Sequence, residues 1–267
     1  TRYISVTGVQ TCALPIYNAN YTSGSTAVAW QWQAGQGTTS SNTSGSITST
    51  VSVSTTAGFS VATWTAPSSG NWTIGHGLGV APSFIITKSK SAGGWIIYHS
   101  ALGNTKWLEF TTAAAQTGTS FPFNSVSPTS TLITYGNATS WGASANFVTY
   151  SWAEITGFSK FGSYTGNSST DGPFIYTGFR PKFVLFKISS GSTGNWFILD
   201  TSRSTYNESV NLLNPDTSDA AADVSPFIDI LSNGIKIRRN SVGLNNSGYT
   251  YIYAAFAEHP FKISNAR

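Results

Sequence analysis

A single cysteine, no methionine and few charges are what the 267-residue chain lacks, and each absence removes a class of protein. One cysteine cannot form an intrachain disulfide, so a disulfide scaffold is excluded, and a thiolate metal cluster with it. Charged residues make up 9% of the chain against a usual share of about 25%, while aromatics reach 14%. Disorder needs the reverse balance. No run approaches the roughly 18 apolar residues of a membrane helix, so no membrane insertion is expected. The missing methionine makes Thr1 read as the edge of a fragment.

Ser5–Ile16 resembles a translated sequencing adapter, so residues 1–16 are expected to be non-native, and the lone Cys12 with them. No basic segment precedes an apolar core there, as a secretory signal would require.

What is present is material for strands. Thr, Ser, Asn, Gly, Val, Ile and aromatics dominate, and strong helix formers are scarce. Short runs recur between Gly/Ser/Asn/Pro clusters, among them Phe84–Lys88, Trp95–His99, Phe183–Lys187 and Trp196–Leu199. Because these runs are almost wholly apolar, both faces should be covered. Ile235-Lys236-Ile237-Arg238 alternates and should have one wet face. The one helix candidate is Thr217–Asp223.

Self-comparison gives the domain organisation. Residues 58–88 align without a gap on 157–187, matching Gly58-Phe59-Ser60 to Gly157-Phe158-Ser159 and Pro82–Lys88 to Pro181–Lys187. With small gaps, Trp95 meets Trp196 and Trp152-Ala153-Glu154 meets Phe256-Ala257-Glu258. The expected fold is all-β, an antiparallel β-sandwich of jelly-roll or lectin-like type built from two tandem pseudo-repeats, 58–156 and 157–267. Residues 17–57 are a Ser/Thr-rich lead-in, a possible end of an upstream module. Within it, 44–56 reads as a flexible or β-forming linker. Pro82 and Pro181 should begin strands, after turns at Gly79 and Gly178. Lys88, Glu154, Lys187 and Glu258 recur between copies, and the expectation is a Lys–Glu pair at strand ends in each module.

No catalytic signature is present. Gly162–Gly166 lacks nucleophile-elbow spacing, and His76, His99 and His259 are isolated, with His76 read as a turn residue. A glycosidase needs two convergent carboxylates, and Glu154 and Glu258 are repeat equivalents instead. Asp200 and Arg203 are expected to pair locally. Asp216, Asp219 and Asp223 match no calcium loop and read as loop or helix-start residues. No catalytic residue, metal ligand or cofactor is therefore assigned. Lys236, Arg238 and Arg239 form the densest basic patch, too narrow for nucleic acid and read as a solvated strand face. Nine tryptophans suggest sugar stacking, and Trp107 and Trp141, in Ser/Thr/Gly-rich surroundings, are the exposed candidates.

Gly45–Ser52, Thr55–Ser60, Gly75–Pro82, Gly157–Asn167, Asp171–Pro181, Leu231–Gly234 and Tyr251–Glu258 together resemble marine bacteriophage tail-fibre-like virion proteins. The resemblance covers roughly residues 28–263. It implies a non-enzymatic structural module in the virion tail, exposed to the extracellular medium and contributing to attachment at a host-surface glycan or receptor. Implied partners are other tail proteins and two further copies in a homotrimer. It supplies no binding residues. The alternatives are a polysaccharide depolymerase and a secreted bacterial lectin or adhesin.

Overall fold

The computed structural model describes residues 2–5, 28–35, 37–91 and 93–257. The first pair is parallel, β1 (Arg2–Ser5) with β2 (Val28–Gln31). β3 (Ser40–Asn42), β4 (Ser49–Ser54) and β5 (Phe59–Thr65) form an antiparallel ribbon. Next come β6 (Trp72–Gly75), β7 (Phe84–Ser89) and β8 (Trp95–His99), then a 3-10 turn at Ser100–Leu102. The two-residue β9 (Lys106–Trp107) and β10 (Gln116–Thr117) pair with each other. β11 (Leu132–Tyr135), helix α1 (Ala138–Trp141) and β12 (Asn146–Trp152) follow. Beyond them lie β13 (Ser159–Thr165), β14 (Phe174–Tyr176), β15 (Pro181–Ser190) and β16 (Phe197–Asp200). The last elements are β17 (Ser209–Leu212), β18 (Ala222–Leu231), β19 (Gly234–Ile237), helix α2 (Val242–Asn245) and β20 (Thr250–Ala257).

The protein is all-β and sandwich-like. Two large sheets run β3-β4-β5-β12-β7-β8 and β13-β20-β15-β16, and two further sheets, of two and four strands, run β6-β11 and β14-β19-β18-β17. Without β3 and β4, the large sheets share one order: the first strand of the half, then the last, third and fourth. In each half the second strand pairs with the strand before the helix. The two halves thus have matching topology.

Alternation along each strand sorts side chains into layers. In β7, Phe84 and Ile86 belong to one core, and Ile85 between them belongs to another. The second core fills the space between the first large sheet and β6–β11, with Trp64, Trp72, Ile133, Tyr135 and Phe147. The first core continues through Trp152, Phe161, Leu185 and Phe256 to Ile228, Ile235 and Ile237 of the outermost sheet. The order is therefore four layers: β6–β11, the two large sheets face to face, and β14-β19-β18-β17. Both large sheets are covered on both faces, which is why their strands read as continuous apolar runs. Trp32 closes one end of the central layer, its ring 5.7 Å from Trp152, 5.5 Å from Phe183 and 5.3 Å from Phe256.

One expectation changes. Thr217–Asp223 is not a helix: it is turn and extended chain leading into β18, which starts at Ala222. Among the described residues the α-helices are instead two single turns at 138–141 and 242–245, too short to carry periodicity. Of the two readings of 44–56 the β-forming one holds: Ser49–Ser54 is β4, paired with β5, so Val51 is buried while Thr50 faces outward. Gly79 and Gly178 do have positive φ, at 76° and 82°, as their turns require.

Candidate functional site

The two tryptophans expected to be exposed are buried. Trp107 and Trp141 are each only 8% accessible and sit in the core under β6–β11. Trp107 meets Phe121 edge-on at 5.2 Å. Trp141 ends the helical turn α1 with its ring packed inward against Tyr135 at 5.1 Å, and its Nε1–H donates to Pro122 O at 3.3 Å. Neither presents a face to a sugar.

Lys88 and Glu154 do not meet. β7 and β12 are antiparallel, so Lys88 lies opposite Val148 near the start of β12, while Glu154 follows the far end of that strand. Glu154 pairs with Lys160 at 2.7 Å. Glu258 lies outside the described residues, and with it the expected Lys187–Glu258 pair.

The recurring lysines have a different partner, the same in both halves. Lys88 Nζ donates to Gly93 O at 2.6 Å and lies 5.8 Å from the centre of the Trp95 ring. Lys187 Nζ donates to Gly194 O and lies 5.9 Å from the Trp196 ring. Each lysine closes the hairpin loop that follows its strand by bonding a loop carbonyl, and covers the tryptophan that begins the returning strand (Trp95) or immediately precedes it (Trp196). Phe110 joins the two devices, 5.7 Å from Trp95 and 5.0 Å from Trp196.

Burial separates the copies. Lys187 is fully buried, and desolvation lowers its pKa from 10.5 to about 8, partly opposed by Asp216. Across that window the unfolded chain binds the proton more tightly, so stability should rise with pH from about 8 towards 10.5. Lys187→Met is expected to match or exceed wild-type stability at pH 7, because a buried charge is exchanged for apolar packing. It should also flatten the rise between about pH 8 and 9.5, below the main tyrosine titration. Urea midpoints measured across that range check both statements, and equal slopes in the two proteins would refute the assignment.

Two carboxyls near Trp196 are pushed up by burial, Glu109 and Asp216. Asp216 Oδ1 accepts from Trp196 N at 3.1 Å. Glu109 reaches Trp196 through its main-chain oxygen, which accepts from the indole Nε1–H at 2.7 Å. The Glu109 contact holds one half against the other, and the Asp216 contact braces Trp196 within its own half. Asp200 and Arg203 pair as expected, Nε to Oδ2 at 2.5 Å. His76 is fully buried at the turn after β6, bonded to Thr129 O and Leu78 N. No group of three or more His, Cys, Asp or Glu side chains among the described residues could hold a metal ion.

The surface offers two features with ligand chemistry. A polar groove of about 250 Å³ lies over Thr48, Thr50, Thr63, Thr65, Lys90 and Asn146. The other is on the outermost sheet, where Phe174 and Tyr176 are 47% and 64% exposed while Ile175 between them is buried. Opposite them on β19 are Lys236 and Gly234. Lys236 pairs with Asp171 at 2.7 Å and Arg238 with Asp229 at 2.6 Å, and Arg238 also approaches Asp171 at 3.9 Å. The hydrogen bond and charge of Lys236 hold the Asp171 carboxyl below its ordinary value. The basic patch seen in the sequence is thus a paired, partly wet strand face, as its alternation indicated.

A family model described as a domain of unknown function, DUF7483, matches residues 4–260. The chain belongs to that family. The DUF7483 match takes in both large sheets, so the matched unit is the whole four-layer stack, and it begins inside the adapter-like segment. No curated protein and no solved structure shows significant similarity. Any function for this DUF7483 chain therefore has to be argued from its own surface.

Proposed function

We propose that the chain is a non-enzymatic structural module of a phage tail-fibre-like virion protein, exposed on the particle and contributing to host-surface attachment. The observation that carries this reading is the pair of exposed aromatics, Phe174 and Tyr176, fixed on a strand of a sheet whose other face is core. Contiguous exposed apolar surface rimmed by polar residues is a feature of interaction sites. The low charge and the doubly covered sheets suit a stiff appendage, and matching topology in the halves favours an origin by duplication. Weak contacts repeated across a trimer would sum to firm attachment. Labelled protein, as monomer and as a fused trimer, is expected to bind cells of at least one member of a panel of marine bacteria, the trimer about a hundredfold more tightly. Binding no better than a scrambled-surface control in both forms would refute attachment.

A depolymerase is the second reading, favoured by the two carboxyls that burial pushes up, Glu109 and Asp216. It requires a proton donor and a second carboxylate facing one substrate bond. Glu109 meets the shared Trp196 through its backbone rather than its carboxyl, which places these residues in the wall between halves.

A further inference from the structure

We propose that the outer face of β14 and β19 is a stacking platform for pyranose rings of a neutral glycan. The proposal rests on the attachment reading and narrows it to one face and one ligand class.

The geometry begins with β14. Phe174 and Tyr176 are two residues apart on a strand, so their side chains leave the same face about 7 Å from each other. Ile175, 5% exposed, anchors the strand from behind, so sheet packing rather than a loop tip sets the positions of the rings. A Cβ at Gly234 would come within 2.8 Å of two atoms of the Phe174 ring. The same Cβ would come closer still to Ile175 O, so glycine here lets β14 and the Phe174 ring lie close against β19 while Phe174 stays 47% exposed. A flat aromatic face bordered by polar groups fits the C–H-bearing face of a pyranose, whose slightly positive hydrogens meet the negative face of the ring.

The rim supplies the hydroxyl partners. Lys236, Arg238, Asp171 and Asp229 carry two positive and two negative charges, tied together at 2.6–3.9 Å. Their cations are already neutralised, and Glu208 adds a further negative charge near Arg238, so the rim offers donors and acceptors without an unspent positive charge. An anionic saccharide would have to compete with Asp171 and Asp229 for them. A neutral sugar would not, since each hydroxyl can give a proton to a carboxylate and accept one from Lys236 or Arg238. A protein partner would need roughly 800 Å² of its own surface buried, far beyond two rings on a three-residue strand.

The test uses the whole chain, biotinylated and displayed on streptavidin, against immobilised neutral gluco-, galacto- and manno-oligosaccharides and against oligo-uronates. Binding to at least one neutral series is expected, retained in about 0.5 M NaCl. Phe174→Ala and Tyr176→Ala should each lower it about tenfold or more with unchanged thermal midpoints. Tyr206→Ala, removing a ring that is 85% exposed outside this pair, should leave it unchanged. No binding to any neutral series would overturn the proposal. So would full binding by both β14 variants, or binding confined to uronates and abolished by salt. Cells bound equally by wild type and both variants would remove the platform while leaving attachment intact. Cells bound by neither would remove attachment, with the oligosaccharide result still judging the platform.

Discussion

Trp196→Ala is expected to destabilise the protein by about 3–5 kcal/mol, the range for deleting a large buried aromatic. Trp196 is 1% exposed and stands where the two halves meet. Its ring packs on Phe110 and under the Lys187 ammonium, and its indole Nε1–H satisfies Glu109 O at 2.7 Å. Alanine would open a cavity there and remove one of the two donors to Glu109 O, the other being Thr111 N at 2.8 Å. It would also strip a buried cation of the ring that faces it, and each of these adds to the loss. Trp95 provides the internal comparison, since it holds the corresponding place in the first half with the same lysine arrangement but is 39% exposed. Trp95→Ala should therefore cost about 1 kcal/mol or less. Urea denaturation of both variants separates the effect of burial from that of the repeated motif. Equal losses would mean that the motif, not its depth, carries the energy.

That comparison bears on how much the sequence reveals. The apolar runs Phe84–Lys88 and Phe183–Lys187 read correctly as strands covered on both faces: in the first, Phe84 and Ile86 serve one core and Ile85 the other, and in the second Phe183, Val184, Leu185 and Phe186 are all buried. The exposure of tryptophans did not read correctly, and the reason is physical. Trp107 and Trp141 lie among Ser, Thr and Gly, which suggests surface, yet hydroxyls in this fold are often interior. Thr87, Thr149 and Tyr135 hydroxyls bond one another at 2.9–3.0 Å, and Trp64 Nε1–H donates to Thr149 Oγ1 at 2.9 Å, all buried. Ser60 Oγ–H donates to His76 O at 2.5 Å in the same way. Satisfied hydroxyls can be buried at little net cost, so Ser and Thr content does not report exposure. The aromatic ledge left a signal that was available: Phe174-Ile175-Tyr176 alternates around one aliphatic residue, followed two positions later by a turn glycine. Its meaning depended on knowing that β14 is an outer strand, and strand order is not written in local sequence. The Lys–Glu expectation failed for a related reason. Retention of both charges in each half was visible, but the antiparallel direction that sends them to opposite ends of the sheet was not.

His99 should make the association of the two halves acid-sensitive. The ring is fully buried in the central layer, where Nδ1 accepts from Ala101 N at 3.2 Å. The proton of the neutral ring therefore resides on Nε2, which donates to Tyr253 O at 3.0 Å and ties β8 to β20 across the layer. Protonating Nδ1 would set an N–H against the Ala101 N–H and place a charge among Phe84, Phe161 and Leu185. Burial accordingly lowers the His99 pKa from 6.5 to about 4, the Tyr253 carbonyl opposing it only in part. Above pH 6.5 both folded and unfolded chains carry a neutral ring, and the stabilisation is complete. Between about 6.5 and 4 the unfolded chain takes up a proton that the folded chain refuses, so stability falls with pH by about 3 kcal/mol in all and levels off below 4. His76, also buried with a lowered pKa, acts in the same direction in the other core. His99→Gln separates the two, since its amide can keep one hydrogen bond but does not titrate. It should be less stable than wild type at pH 7.5 and lose markedly less stability between pH 6.5 and 4.5, approaching or crossing wild type at the acid end. Urea midpoints taken at half-unit steps would show this as two converging lines. Parallel lines would mean that the acid response comes from elsewhere and that the His99–Tyr253 bond is a passive contact.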